Sequence, residues 1–320
     1  MHSTDQNLEI NVRQACFYLT RKCNLNCSYC KVPKQKVNEL SLAMIYEALT
    51  ILKRHVDPEF LVLFGGEPFV HPHINEIVDK VNELGFEYTL ITNGTIDNEA
   101  VIRKLRGLTL SIDRPDLAYS TDERAKTNWA MLKKYKDIVP DLVANVTVSK
   151  ENINNLKRIV DQLNDLDIWT IFGLVHSTRY PAARALFRSY CPHLLLSRAE
   201  CKKFRAILAN TKRRHNTEMY GVLAPVFGHS GTWHCSANPR NPEYMTINSD
   251  GSMLACNDYP GVTTSLYTIF DLPKDGIRSW FQACRSDREQ CQLGCFYNHE
   301  LNLCYPHRNS LIHRSNNDQG

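Results

Sequence analysis

The chain has 320 residues, 43% hydrophobic and 22% charged, with a formal net charge of +4 from 38 basic and 34 acidic side chains. This composition excludes a wholly disordered chain and leaves apolar mass for a sizeable core. So small a basic excess points to neither nucleic acid nor a membrane surface as partner.

No run approaches the ~18 apolar residues of a membrane span. The polar start from Met1 to Asn11 lacks the apolar core of a signal peptide, so a cytoplasmic protein is expected. At ~150 residues per domain the length suits about two domains. From about Arg13 to Val175 short apolar runs alternate with amphipathic segments. The first predicted strand is Ala15–Leu19. A helix over Ser41–His55 follows, with Leu42, Ile45, Tyr46, Leu49 and Leu52 on one face and Ser41 as its N-cap. Further strands are predicted at Phe60–Phe64, Tyr88–Ile91, Leu108–Ile112, Val143–Val148 and Trp169–Leu174. The helices between them are Pro72–Leu84, Asn98–Leu105, Thr121–Tyr135 and Ile153–Leu163. Six strand–helix repeats imply parallel strands with right-handed crossovers. That is an α/β layout, an open sheet or a partial barrel, two units short of closure.

After Thr178 the alternation stops. Arg198–Arg213 reads as a basic helix, and a loop-rich, cysteine-rich region runs from Tyr220 to about His307. Within it, Tyr244–Ile247 and Met253–Ala255 form a predicted hairpin with Asp250-Gly251 in the turn. The polar tail from Asn309 to Gly320 is expected to be disordered.

Twelve cysteines without an export signal point to metal or redox chemistry, because the cytosol keeps thiols reduced. Cys23, Cys27 and Cys30 follow the first strand with C-x3-C-x2-C spacing. Three thiolates on one loop can grip one face of an iron–sulfur cube. Such a cube ordinarily takes four cysteines, so a trio leaves one iron open for substrate chemistry. Zinc is the competing reading, with a distant histidine completing a tetrahedral site. Loops at the carboxyl ends of parallel strands are where such folds place their active sites.

This spacing, with aromatic Tyr29 before the third cysteine, resembles the radical S-adenosylmethionine superfamily. Gly65-Gly66-Glu67-Pro68, directly after the second strand, resembles that family's second signature. The resemblance covers about residues 13–180. It implies a partial (β/α)6 TIM-like barrel, a [4Fe–4S] cluster on Cys23, Cys27 and Cys30, and bound S-adenosyl-L-methionine. Residues Gly65 to Pro68 would meet the cofactor's methionine amino group. Glycine admits close backbone approach, and Glu67 can accept charge-assisted hydrogen bonds from an ammonium. Asn93, beside Gly94, and Ser111 with Asp113 stand where the family places further contacts, to ribose hydroxyls or the carboxylate. Strand-end turns use the same residue types. Ser111 and Asp113 are preferred there over Asn145 and Ser149. The implied chemistry is reductive cleavage to a 5′-deoxyadenosyl radical, which removes a hydrogen atom from an unactivated carbon. An external electron donor such as flavodoxin or ferredoxin is implied with it.

The C-terminal cysteines run Cys235, Gly251, Cys256, Cys284, Cys291, Cys295 and Cys304. The opening resembles the SPASM and twitch extensions of the same superfamily, which hold auxiliary iron–sulfur clusters. The chain departs from the full SPASM pattern: Phe281 stands where a cysteine should fall, and the next gap is six residues instead of five. The preferred reading is one auxiliary [4Fe–4S] cluster on Cys235, Cys256, Cys291 and Cys295, with Cys284 and Cys304 as substitutes. A zinc knuckle is the alternative, and His234 and His299 stand near enough in sequence to contribute. The expected division is an N-terminal segment 1–12, a barrel 13–190, a linking helix 191–219, an auxiliary-cluster domain 220–307 and a tail 308–320. Of the remaining cysteines, Cys16 reads as a buried strand residue. Cys191 or Cys201 could give a hydrogen atom to a substrate radical, although an inert role is the simpler reading.

An auxiliary cluster beyond the substrate offers an electron acceptor, which favours net oxidation. Only about a dozen residues precede the first strand, too few for the leader-binding domain of many peptide maturases. The expected substrate is therefore a sugar-like or other small metabolite of a biosynthetic pathway, undergoing dehydrogenation or epimerisation. A peptide-modifying maturase, making epimers or cross-links, is the second reading. A zinc-stapled binding protein without enzymatic activity is the third. Arg179, Arg184, Arg188 and Arg198 could meet a phosphate on the substrate, or form a solvated face. Trp169 and Trp233 could wall its cavity, or pack in the core.

Overall fold

The computed structural model describes residues 12, 14–30, 38–118, 121–175, 192–213, 244–254 and 268–274. Strands and helices alternate: β1 Gln14–Thr20, α1 Leu42–His55, β2 Phe60–Gly65, α2 Ile74–Glu83, β3 Tyr88–Thr92 and α3 Glu99–Ile102. Then come β4 Gly107–Ser111, α4 Glu123–Tyr135, β5 Asp141–Val148, α5 Leu156–Asp165 and β6 Trp169–Leu174. After these stand α6 Arg198–Ala209 and the pair β7 Tyr244–Ile247 and β8 Met253–Leu254.

All the strands share one sheet, ordered β6-β5-β4-β3-β2-β1-β7-β8. Every neighbouring pair is parallel except β7 with β8. The order has two ends, so among the described residues the sheet does not close on itself. The six expected strands are all present. A seventh parallel strand, β7, lies on the outer side of β1, with Ala15 opposite Met245 and Phe17 opposite Ile247. Read alone, Tyr244–Ile247 was only one arm of a hairpin. The hairpin forms, but its first arm also extends the barrel sheet. Four residues, far along the chain from β6, carry too little alternation to announce a parallel partner.

Period-two alternation sorts the strand side chains. Ala15, Phe17 and Leu19 of β1, with Leu61 and Leu63 of β2, join the large core that the helices cover. Cys16 and Val62 face the other way and pack with Phe60, Phe64 and Ile91. Cys16 is buried, as its strand position suggests. On α1, Ile45, Ala48, Leu49 and Leu52 are buried at helical spacing, and Ser41 caps the helix by accepting from Met44 N–H at 3.4 Å. The helix α3 is half its expected length, and α6 stops at Ala209 rather than Arg213. The end of α3 tightens into i−3 bonds, Lys104 N–H to Val101 and Leu105 N–H to Ile102, because β4 begins at Gly107. Among the described residues no helix is long and apolar enough to cross a membrane. Because β1 to β6 run in one direction, their carboxyl ends lie at one rim of the sheet.

Candidate functional site

The loop that leaves β1 carries the half-buried Cys23, Cys27 and Cys30. Leu25 N–H donates to the Cys23 sulfur at 3.4 Å, and Cys30 N–H to the Cys27 carbonyl at 3.2 Å. Among the described residues no three Cys, His, Asp or Glu side chains converge to hold a single ion. A cube asks for wider spacing, because each thiolate binds its own iron at a separate corner. One zinc instead draws its sulfur ligands to about 2.3 Å from one centre.

The end of β2 presses on the base of this loop. Gly66 N–H donates to the Thr20 carbonyl at 2.7 Å, and Glu67 N–H to the Lys22 carbonyl at 2.9 Å. Glycine is what permits the approach: a Cβ would stand 2.2 Å from the Thr20 oxygen at position 65 and 2.1 Å from the Lys22 oxygen at position 66. The approach brings the ends of two backbone segments together beside Cys23. Pro68 opens a buried 3-10 turn, Pro68–Val70.

Glu67 is wholly buried. Its Oε1 accepts from Phe69 N–H at 3.0 Å and from the Thr92 hydroxyl at 2.8 Å, and its Oε2 accepts from Asn93 N–H at 2.7 Å. Burial pushes the carboxyl pKa above its usual value, while the three donors pull against it. Through these bonds the carboxylate staples the end of β2 to the end of β3. From there Asn93 reaches the cysteine loop, its Nδ2 lying 2.9 Å from Asn24 Oδ1 and 3.8 Å from the Cys23 sulfur.

A second link starts at Tyr29. Its hydroxyl donates to Asp113 Oδ2 at 2.7 Å, just beyond β4. Asp113 Oδ1 accepts from Thr147 N–H of β5 at 2.9 Å, so one carboxylate joins the loop, β4 and β5. Burial first, then the Asp113 charge, pushes the Tyr29 pKa upward and keeps the phenol protonated. Ser111 donates to the Thr92 carbonyl at 3.2 Å, tying β4 to β3.

Arg124, on α4, was not singled out from the sequence. Its Nη2 lies 3.4 Å from Asp113 Oδ2, and its Nη1 lies 4.0 Å from the Cys27 sulfur. Burial opposes its charge, but Asp113, Tyr29 and Cys27 outweigh that and raise its pKa. One signal was available. Arg124 sits in the first turn of α4, where the helix dipole favours acidic residues. A cation there needs another reason. Ile112, Asp113, Arg114, Arg124, Ala125 and Asn128 line a small surface depression. Arg124 Nε and Asn128 Oδ1 are buried there without a hydrogen-bond partner among the described residues.

The residues present fit the implied groups. Three thiols on one loop suit a site-differentiated cube. A guanidinium with an orphaned Nε beside that loop suits a carboxylate. Cys201 on α6 is buried, and burial pushes its thiol up to about 11. Cys235, Cys256, Cys284, Cys291, Cys295 and Cys304 lie outside the described residues. So do Cys191, Arg179, Arg184, Arg188, Trp233, His234 and His299. Trp169 is half-buried on β6, with the Arg213 guanidinium 5.9 Å over its ring.

The chain is 25% identical over 185 residues to an AdoMet-dependent heme synthase of Methanosarcina barkeri, covering 52% of each protein. It spans between 39% and 52% of the length of the first curated relatives it matches. Its fold is similar to Streptococcus suis SuiB bound to S-adenosylmethionine, with a TM-score of 0.63 at 14% identity, over 90% of this chain and 74% of that one. It is also similar to anSMEcpe with bound AdoMet and the Cp18Cys peptide, with a TM-score of 0.60 at 17% identity, over 92% of this chain and 88% of that one. At such identities these two likenesses speak for the fold. The model of the Radical SAM superfamily matches residues 17–176, half of the chain, and takes in the cysteine loop, Glu67, Asp113 and Arg124. The chain belongs to the radical SAM superfamily.

Proposed function

We propose that this chain is an enzyme that cleaves S-adenosyl-L-methionine reductively and abstracts a hydrogen atom from a carbon of a small, sugar-like metabolite. The outcome is dehydrogenation or epimerisation. The observation that supports this most is the meeting at one rim of the Cys23–Cys30 loop, the Glu67 staple and the Asp113–Arg124 pair. Cys23, Cys27 and Cys30 would hold a [4Fe–4S] cluster. When bound and reduced, that cluster supplies the electron that splits the sulfonium into methionine and a 5′-deoxyadenosyl radical.

The chain's own side chains do the rest. Arg124 offers a fixed cation for the cofactor's carboxylate, next to the thiol that the cluster would use. Asp113 holds both Arg124 and Tyr29 in place. Asn93 and Ser111 border the same rim and are the candidates for ribose hydroxyls. Gly65 to Pro68 stand beside the cysteine loop and would meet the cofactor's amino group, with Glu67 fixing their conformation against β3. Cys235, Cys256, Cys291 and Cys295 are proposed for one auxiliary [4Fe–4S] cluster, and a flavodoxin or ferredoxin as electron donor.

A second reading is peptide modification. It is favoured by the fold similarity to proteins whose structures carry the precursor peptide SuiA or the Cp18Cys peptide. The test is anaerobic incubation of the reconstituted protein with dithionite and S-adenosylmethionine. 5′-Deoxyadenosine should form with the wild type and be lost in Cys27→Ala. Its absence in the wild type overturns the proposal.

A further inference from the structure

The cysteine loop leaves β1 at Thr20 and returns to the described chain at residues 38–40, ahead of α1. Glu39 ties the two ends together. Its Oε1 accepts from the Thr20 hydroxyl at 2.8 Å and from Arg21 N–H at 2.7 Å, and its Oε2 lies 3.8 Å from Lys22 Nζ. Both ends also touch the turn between β7 and β8. Arg21 Nε donates to Asn248 Oδ1 at 3.3 Å, and Leu40 N–H donates to the Ser249 carbonyl at 2.7 Å.

Hydrogen bonds within that turn hold its shape. Asn248 Oδ1 also accepts from Ser249 N–H at 3.0 Å, and Asp250 Oδ1 accepts from Ser252 N–H and its hydroxyl. Asn248, Ser249 and Gly251 are buried. Gly251 has a φ of +86°, and a Cβ there would come within 3.4 Å of Leu40 and 3.1 Å of Phe270. The turn therefore meets Leu40 through a hydrogen bond and through packing. In sequence it lies between Cys235 and Cys256, far along the chain from the triplet.

We infer that Glu39 and the Asn248–Ser249 turn are positioning elements for the Cys23–Cys30 loop. Through them the C-terminal cysteine region takes part in shaping the radical site. Glu39 closes the loop base, which limits the ways the three thiols can be displayed. Asn248 and Ser249 then fix that base against β7. The effect passes through the backbone at residues 20–22, the same stretch that receives Gly66 and Glu67. The inference rests on the reading that this loop holds the cluster, and one arm of its test does not need a cluster.

The test uses the full chain as Glu39→Ala, Glu39→Gln and Asn248→Ala, each checked for wild-type circular dichroism. In the metal-free protein, amide hydrogen exchange over residues 20–30 should run between about threefold and tenfold faster in Glu39→Ala and Asn248→Ala, the range expected for losing a hydrogen bond. Glu39→Gln keeps an acceptor oxygen and should return exchange to near the wild-type rate. In the reconstituted, reduced protein, the electron paramagnetic resonance signal that shifts on adding S-adenosylmethionine should change shape in both alanine variants and recover in Glu39→Gln. Unchanged exchange and an unchanged signal in folded alanine variants would overturn the inference. A wild type without any S-adenosylmethionine-responsive signal would instead overturn the proposed function, and the exchange arm would still decide the positioning role.

Discussion

Tyr29 of the cysteine loop donates its hydroxyl proton to Asp113 across 2.7 Å, joining the loop to the end of β4. The bond is charge-assisted and partly buried, so its loss should cost about 1.5–3 kcal/mol. Tyr29→Phe should therefore unfold at lower urea concentration and make 5′-deoxyadenosine more slowly. An unchanged midpoint together with an unchanged rate would contradict the link.

Gly66 lies against Lys22 so closely that any Cβ must displace one strand end. Gly66→Ala should lose more than about 2 kcal/mol of stability. Among the described residues, nothing lies within 4 Å of where a Cβ of Gly173 on β6 would stand. Gly173→Ala should stay within about 0.5 kcal/mol of the wild type. Equal effects in thermal unfolding would remove the special role of the β2 end.

Glu67 links pH to stability. Burial raises its carboxyl pKa in the folded chain, so the folded state keeps that proton to higher pH than the unfolded state does. The resulting stabilisation is complete below the ordinary carboxyl value of about 4.3. It is lost as pH rises through the raised folded value. Glu67→Gln has no such titration. The unfolding free energy of the wild type relative to this variant should fall with rising pH across that window. A difference that does not vary with pH would contradict the sign.

Much of this was legible in the sequence. The triplet Cys23, Cys27, Cys30 and the run Gly65 to Pro68 are local patterns, and the six strands are short apolar runs set between amphipathic segments. Arg124, Glu39 and Asn248 were not legible, because their roles arise from contacts between distant segments. Arg124 meets a sulfur 97 residues away, and Asn248 meets Arg21 across 227. No periodicity encodes such a pairing. The glycines show a subtler gap: the Gly65-Gly66 pair signalled a close backbone approach after β2, but not that Thr20 and Lys22 are met there.

Arg124 yields a prediction of its own. A lysine cannot reproduce the forked contact to Asp113 and toward Cys27. Arg124→Lys should raise the KM for S-adenosylmethionine by about tenfold and change kcat less. A lowered kcat at unchanged KM would argue against a role in holding the cofactor's carboxylate.

The most direct measurement is iron and sulfide per chain after anaerobic reconstitution, for the wild type and for a Cys23/Cys27/Cys30→Ala triple variant. At four irons per cube, about eight irons should fall to about four, leaving the auxiliary cluster behind. Iron that is unchanged by the triple substitution, or zinc in place of iron, would contradict the assignment of these three thiols to the radical-generating cluster.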